Sequence, residues 1–270
     1  MEHSHEIYKE GYTIHKNPAM VGYGKSIQIT SNPQKALAFM EKEGITNIYI
    51  YNPSHSNIDS ELQIKNLDFL LNKDAITGID VGSFMNISAL NTCKNLKHIG
   101  LQFPHQEDLD FANLPNLTSL QIVWTYKIKN FELLTNLEYL HLYGYNGKDL
   151  SILKHMPKLK EVYIDNASIE SLVGIEYLEY LKKITFRKCK KLVSLLGLSE
   201  TNKSLEFFVV QNSNKLVDIS SISTVKSLRY VDFWRVGIQT QNVEDYDVPK
   251  GWNLPRIEKF RIVSVSKKKK

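Results

Sequence analysis

One short pattern recurs through most of this 270-residue chain: an apolar residue, two variable residues, an apolar residue, one variable residue and an apolar residue. Seven copies, separated by steps of 21, 20, 22, 22, 24 and 23 residues, begin at Leu96, Leu117, Leu137, Leu159, Leu181, Leu205 and Leu228. Further copies begin at Ile45, Ile76 and Ile257. Self-similarity at a nearly fixed period is the signature of a repeat architecture.

Each copy predicts one β-strand with a single apolar face, because side chains alternate between the two sides of a strand. Such a strand cannot bury that face alone, whereas stacking copies in parallel buries it and pairs the backbones. The segments between copies, such as 151–158 and 171–180, carry apolar residues at helical or 3₁₀ spacing. The sequence therefore predicts an α/β solenoid, with a parallel sheet on the concave side and short helices or 3₁₀ turns on the convex side.

The copies "LEYLHLYG" from Leu137 and "LKEVYIDN" from Leu159 resemble the leucine-rich repeat family. The spacers within 166–186 and 214–233 resemble its bacterial internalin class of roughly 22-residue repeats, and the resemblance covers about residues 45–237. It implies a horseshoe with a curved sheet, and a role as a non-catalytic interaction scaffold. The asparagine usual at the ninth repeat position is mostly replaced here, which puts a regular ladder at that position in doubt. The residues at this position are Pro104, Thr125, Tyr145, Ala167, Cys189, Ser213 and Val236.

The ends of the repeat array differ from its middle, as the ends of a solenoid must, since an open end would expose core. Residues 31–44 predict a helix with Asn32 as N-cap, Pro33 at its first position and Gly44 as its stop. Residues 59–73 predict a second helix. The predicted organisation is an N-terminal lead-in at 1–25, capping repeats with full helices at 26–75, regular repeats at 76–237, a C-terminal cap with a loop and a last strand at 238–266, and a basic tail at 267–270.

Composition and hydropathy argue against a membrane span. No run approaches the ~20 apolar residues that a spanning helix needs. The polar start of the chain lacks the apolar stretch of a secretory signal, so we expect a cytoplasmic location. The formal net charge is +5, and four of these charges belong to the terminal run Lys267–Lys270. Cys93 and Cys189 are expected to be reduced core thiols, because no CxxC motif or Cys/His cluster accompanies them.

No motif predicts catalysis, a cofactor or a metal. The chain contains neither G-x-S-x-G nor H-E-x-x-H. A metal could be held by His3 and His5, although both lie in an N-terminal tail where disorder is the simpler expectation. Catalysis assembled from separate strands stays open as an alternative, since it would leave no sequence motif.

The outward positions of the predicted strands carry many aromatic residues, together with charges of both signs. Tyr, Trp and Arg are the residue types that dominate binding hot spots. Aromatic ladders also stabilise sheets, so a purely structural role is the alternative for each residue. The predicted partner-binding residues on the concave face are His98, Phe103, Trp124, Tyr139, His141, Tyr143, Tyr163, Asp165, Arg187, Tyr230, Asp232 and Trp234.

The sequence thus predicts a non-catalytic protein that grips a protein partner on its concave face, in an inhibitor, immunity-type or scaffolding role. The alternative is binding of a polyanion or nucleic acid by a basic C-terminal flank, with the bases stacking on aromatic residues. The near-neutral body of the chain argues against this alternative. The basic flank comprises Lys183, Arg187, Lys188, Arg235, Lys259 and Arg261, together with the lysine tail.

Overall fold

The computed structural model describes residues 6–15, 24–50, 64–82, 85–238 and 259–264. Within it the chain divides into two compact units, Met1–Leu134 and Thr135–Lys270. The predicted tail at 267–270, the histidines at positions 3 and 5, and nearly all of the predicted loop at 238–256 lie outside the described residues. The domain boundaries drawn from the sequence stay predictions.

The first unit contains one main sheet and one small sheet. Its strands are β1 (Glu6–Lys9), β2 (Tyr12–His15), β3 (Ser26–Ile29), β4 (Asn47–Ile50), β5 (Gly78–Val81), β6 (His98–Leu101), β7 (Leu109–Asp110), β8 (Ser119–Val123) and β9 (Ile128–Lys129). β1, β2 and β3 pair antiparallel, whereas β3, β4, β5, β6 and β8 pair in parallel and in register. β7 and β9 form the separate parallel pair. The antiparallel β1–β2 hairpin is an element that the sequence reasoning missed.

The helix α1 (Pro33–Glu43) confirms the helix predicted at residues 31–44. The Asn32 side chain accepts a hydrogen bond from the backbone N–H of Lys35, and Gly44 ends the helix with a left-handed φ of 63°. Asn and Gly are the residues that suit these two positions. Over the described residues, the later return segments of this unit contain 3₁₀ turns at Asp68–Leu70, Ser88–Thr92, Phe111–Asn113 and Phe131–Leu133.

The second predicted helix, at residues 59–73, is wrong over the described residues 64–73, where the only helical element is the 3₁₀ turn Asp68–Leu70. Two contacts fix this shorter form: the Asn66 side chain accepts from the backbone N–H of Asp68, and the backbone of Asn66 bridges to Asn86 in the next repeat. This pairing with the next repeat overrides the helical pattern of the local sequence.

The second unit is a ladder of six parallel strands. They are β10 (Tyr139–Tyr143), β11 (Glu161–Asp165), β12 (Lys183–Arg187), β13 (Phe207–Gln211), β14 (Tyr230–Val236) and β15 (Lys259–Ser264). Neighbouring strands pair in register throughout, except for a bulge in β14 between Trp234 and Val236. The return segments contain 3₁₀ turns at Ser151–His155, Ile175–Tyr177 and Ser220–Thr224.

The core of the second unit is built from the inward positions of its strands. Phe186, Phe208 and Phe233 are inward residues of three successive strands, at the sixth, fourth and sixth repeat positions, with ring centroids 6.0 Å apart at each step and no exposed surface. The repeats also approach closely behind the sheet. Gly174 has a φ of 112°, and a Cβ there would lie 2.2 Å from the carbonyl oxygen of Leu150 in the preceding repeat.

Two asparagines of the first unit bridge neighbouring repeats, one residue before the copies that begin at Leu96 and Leu117. Asn95 donates to the carbonyl oxygen of Asp74 at 3.0 Å, and Asn116 donates to that of Lys94 at 3.1 Å. At the ninth position the buried thiol of Cys189 donates instead to the carbonyl oxygen of Ile164. Stacked repeats therefore satisfy their backbone groups without the usual ninth-position asparagine.

Candidate partner-binding face

The outward side chains of the second unit form three columns across its strands, and we call this surface the open face. The register of the parallel pairs brings equivalent repeat positions side by side. The central column contains His141, Tyr163, Thr185, Val209, Asp232 and Arg261. The flanking columns contain Tyr139, Glu161, Lys183, Phe207 and Tyr230 on one side, and Tyr143, Asp165, Arg187, Gln211 and Trp234 on the other.

Aromatic residues cluster at the β10–β11 end of the open face. The rings of Tyr139 and Tyr163 lie 5.5 Å apart, and the His141 ring lies 5.7 Å from that of Tyr163. The Tyr163 hydroxyl donates to Glu161 Oε2 at 3.0 Å, and Lys183 Nζ lies 5.2 Å from the Tyr163 ring centroid. These rings are half-buried, so they are held in place while retaining surface that a partner can contact.

Burial raises the pKa of Tyr139 to about 12 and that of Tyr163 to about 12, with nearby carboxylates adding to the effect. Both phenols are therefore neutral throughout the physiological range, and their hydroxyl groups remain able to donate hydrogen bonds. A neutral, amphipathic tyrosine pair is well suited to a protein interface, because it offers apolar area and a polar end at low entropic cost.

Asp165 links two basic side chains on adjacent strands. His141 Nε2 lies 3.1 Å from Asp165 Oδ2, and Arg187 Nε donates to Asp165 Oδ1 at 2.9 Å. Burial opposes ionisation of this carboxyl group, but the hydrogen bonds and positive charge of His141 and Arg187 outweigh it and hold the pKa of Asp165 below its ordinary value. The carboxylate thus fixes the orientation of the imidazole and the guanidinium group.

A second fixed ion pair lies at the other end of the open face. Arg261 donates to both carboxylate oxygens of Asp232, at 2.7 and 2.5 Å, and its guanidinium carbon lies 4.7 Å from the Trp234 ring centroid. Asp232 is only 2% exposed. Next to them, the rings of Phe207 and Tyr230 lie 6.1 Å apart. Asp232 therefore acts chiefly through Arg261, whereas the half-buried Trp234 keeps exposed surface.

Three predicted site residues lie in the first unit, and their positions differ from the expectation of exposed side chains. His98 is 2% exposed and Phe103 is 4% exposed, so neither presents a contact surface. Trp124 is half-buried and packs edge-on against Phe131, with ring centroids 5.3 Å apart. Neighbouring repeats cover or engage these side chains, which an alternation pattern alone does not predict.

His98 belongs instead to a buried polar line that sequence reasoning missed. Its Nε2 lies 3.0 Å from Asp80 Oδ1, and its Nδ1 lies 2.9 Å from Ser119 Oγ. Gly100 leaves room for the Asp80 carboxylate, since a Cβ at position 100 would overlap with it. Although a Ser–His–Asp line suggests a nucleophile, Ser119 is 1% exposed, and no substrate can reach its hydroxyl in this structure. We interpret the line as a satisfied structural network.

The basic flank suggested by the sequence is largely neutralised within the open face. Arg187 pairs with Asp165, Arg261 pairs with Asp232, and Lys183 lies over the Tyr163 ring. Lys188 and Arg235 are exposed at the carboxyl ends of their strands. Among the described residues, no group of three or more His, Cys, Asp or Glu side chains could hold a metal ion. The described part of the chain also contains no helix that is both long and apolar enough to cross a membrane.

Parallel in-register strands returned through 3₁₀ turns form the leucine-rich repeat fold, and comparisons with solved structures agree on this fold. Internalin C2 from Listeria monocytogenes has a TM-score of 0.50 and 14% identity over 71% of this chain and 81% of its own. An internalin F from the same organism has a TM-score of 0.52 and 17% identity over 86% and 70%. No protein-family model and no curated protein sequence matches the chain. At these identities the comparisons show the fold.

Proposed function

We propose that this chain is a non-catalytic binding module that holds a protein partner on the open face of its second unit. The aromatic group Tyr139, His141 and Tyr163 is the observation that carries the proposal. Leucine-rich repeat folds are suited to such a role, since stacked strands present an extended surface for recognition. Inhibition, immunity and scaffolding are then three outcomes of the same act of binding.

Pre-organisation supports the proposal. Tyr163 is held by Glu161 on its own strand and by the ring of Tyr139 on the next strand. Asp165 holds His141 in the same way. Side chains that are already ordered lose less entropy on binding, so more of the contact energy appears as affinity.

The distribution of charge disfavours binding of a polyanion on the open face itself. The guanidinium groups of Arg187 and Arg261 are already paired with Asp165 and Asp232, and Glu161 adds a further carboxylate. A nucleic-acid site requires cations that are available to many phosphates at once, and its affinity falls steeply with salt. The charge distribution predicts weak retention on heparin, with elution before the salt concentration reaches about 150 mM. Substitutions on the open face should leave this retention unchanged.

The test begins with affinity capture from the native host, followed by a binding titration with the captured protein. Tyr139→Ala combined with Tyr163→Ala should weaken that binding at least ~30-fold, because truncating an aromatic hot spot costs about 1–2 kcal/mol or more. The matched control is Tyr177→Ala with Tyr180→Ala, since both residues are exposed tyrosines outside the open face. The control pair should alter the affinity less than about twofold.

Thermal unfolding separates a binding role from a packing role. The contact between the Tyr139 and Tyr163 rings contributes about 0.5–1.5 kcal/mol beyond the burial of these half-buried side chains, so the double variant should remain folded with a modestly lowered melting temperature. An unchanged affinity together with a large fall in melting temperature would show that the two rings serve the fold, and would overturn the proposal.

A further inference from the structure

A strip of exposed basic side chains follows the carboxyl ends of β12, β13 and β14, and we call it the basic strip. Its members are Lys188, Lys190, Lys191, Lys215 and Arg235. Within the part of the chain that the structure describes, none of the five forms an ion pair. They differ in this respect from Arg187 and Arg261, whose charges are neutralised by partners on adjacent strands.

Two members of the strip have an unfavourable backbone conformation. Lys188 has a φ of 56° and Arg235 has a φ of 54°, both in the left-handed region. The equivalent residues of the other repeats in the second unit are Gly144, Asn166 and Asn212, which are the residue types that tolerate this region. Arg235 also lies at the bulge of β14, where glycine is the usual solution.

The repeat itself imposes this conformation. The backbone N–H of Lys188 donates to the carbonyl oxygen of Gln211 at 2.8 Å, and that of Asn212 donates to Trp234 in the same way at 2.8 Å. These bonds continue the ladder beyond the strands whichever side chain is present. Asn or Gly at positions 188 and 235 would satisfy the same backbone at lower cost. Strain that is retained in this way points to a function of the side chain.

We propose that the basic strip binds an acidic segment of polypeptide, which would be a feature of the same partner that occupies the open face. This inference rests on the proposed function and adds the chemistry of the partner. The strip offers five positive charges along three neighbouring repeats, none of them in an ion pair with a described residue, so an acidic segment is its electrostatic complement. The repeats that carry Lys188 and Arg235 are two strand spacings apart, or about 10 Å, a distance that a short extended peptide spans.

A polypeptide fits this surface better than a nucleic acid does. On the open face, the guanidinium groups of Arg187 and Arg261 are already paired with Asp165 and Asp232, and Glu161 adds a carboxylate in the column far from the strip. A continuous phosphate backbone that crossed onto the open face would find both guanidinium groups engaged and would meet Glu161, whereas a polypeptide can place its acidic residues on the strip and neutral residues elsewhere. Like-charge contacts of this kind are a means of rejecting wrong partners.

The probe is a 20-residue poly-L-glutamate peptide, and its binding to the full chain is measured by fluorescence anisotropy at low and at moderate salt. Lys188→Asn combined with Arg235→Asn should weaken binding about tenfold, since each exposed pair contributes up to roughly fivefold. The same double variant should melt about 2–6 °C higher, because asparagine relieves the left-handed strain at both positions. Weaker binding with greater stability is the combination that the proposal requires.

The matched control is Lys154→Asn with Lys203→Asn. Both lysines are exposed, and neither lies in the strip or has a positive φ, so the variant loses the same net charge without relief of strain. If the control variant loses as much peptide binding, the loss reflects the net charge of the chain and not the basic strip, and the proposal is overturned. Tighter binding of a 20-nucleotide thymidine strand than of poly-L-glutamate would also overturn it, in favour of nucleic acid. A melting temperature that does not rise would refute the strain argument on which the assignment stands.

The two proposals can fail independently. Tyr139→Ala with Tyr163→Ala should leave poly-L-glutamate binding unchanged, because neither ring belongs to the basic strip. If that variant still binds the captured partner, the proposed function is wrong whatever the peptide result. If the Asn substitutions leave peptide binding intact, the proposal for the basic strip is wrong and the proposal for the open face is unaffected.

Discussion

Replacing Asp165 with asparagine tests whether the open face is held in order by its own ion pairs. The substitution keeps the size of the side chain and one acceptor oxygen, but removes the charge that His141 and Arg187 share. Both basic groups then lie beside a neutral amide. We expect the fold to persist, because Asp165 points away from the apolar core, and the second unit to become less stable.

The expected loss of stability follows from the exposed fractions of the three side chains. A hydrogen bond to a charged group contributes about 1.5–3 kcal/mol when it is well buried. The Asp165 and His141 side chains are 16% and 20% exposed, which places their pair near the lower end of that range. Arg187 is 43% exposed, so its pair contributes less than about 1 kcal/mol. Since asparagine keeps part of this bonding, the net loss should be ~1–2 kcal/mol, or roughly 2–6 °C in melting temperature.

The sign of the pH dependence is fixed by the lowered pKa of Asp165 in the folded state. The ordinary pKa of this carboxyl is 3.8, so its stabilising contribution is fully present above about pH 5 and is lost as the pH falls through 3.8 and then through the lower folded value. The free-energy difference between Asp165→Asn and the unaltered chain should therefore be larger at pH 7 than below about pH 4.

Urea unfolding followed by circular dichroism at pH 7 and pH 3 measures this difference directly. Glu200→Gln is the control, since Glu200 is an exposed carboxylate outside the open face, and its effect should be within about 0.5 kcal/mol at both pH values. The reasoning is refuted if Asp165→Asn is as stable as the unaltered chain at pH 7. It is also refuted if the loss is equally large at pH 3, because the unfolded carboxyl is then mostly protonated and the contribution of a lowered folded-state pKa must shrink.

Two further substitutions examine the packing of the repeats. Phe208→Ala removes a fully buried ring between Phe186 and Phe233 and should lower the free energy of unfolding by about 3–5 kcal/mol in urea titration, so a loss under ~1 kcal/mol would contradict the described core. Gly174→Ala should cost about 2–4 kcal/mol by the same assay, because its Cβ would meet the backbone of the preceding repeat in addition to adopting a left-handed φ. Gly144→Ala is its control: φ is 74° and nothing lies within 4 Å, so only ~1 kcal/mol is expected, and equal losses at the two glycines would contradict the close approach.

The repeat period carried most of the information about the fold. A strict order of apolar positions at near-constant steps predicts strands, their parallel stacking and the side that each buries, since a shift by one residue would expose the whole apolar set. Local signals at Asn32, Pro33 and Gly44 likewise predicted α1. The helix predicted at residues 59–73 was wrong where the structure describes it, because a 3.6-residue pattern does not reveal that Asn66 pairs with the next repeat.

Burial at outward positions was less predictable. Alternation placed His98 on the outer side of its strand, but the structure buries it between Asp80 and Ser119. The signal was present in the neighbouring copies, where Gly100 shares a repeat position with Asp80 and leaves room for its carboxylate. Phe103 and Trp124 follow their strands directly, at a turn whose course depends on neighbouring chain, so their packing required the structure.

Aligning the repeats predicts which charged side chains of the open face pair with each other, which the residue types alone do not. Asp165 and Arg187 occupy one position of consecutive copies, and so do Asp232 and Arg261, with 22 and 29 residues between them. Opposite charges at equivalent positions become cross-strand neighbours once the strands are in register, and such pairs neutralise each other. Aligning the copies therefore converts an apparent basic flank into two ion pairs. Lys188 and Arg235 remain at the eighth position, where the adjacent copy offers Asn212 and no carboxylate. In the proposed complex, the acidic segment of the partner provides the opposite charge for these two residues.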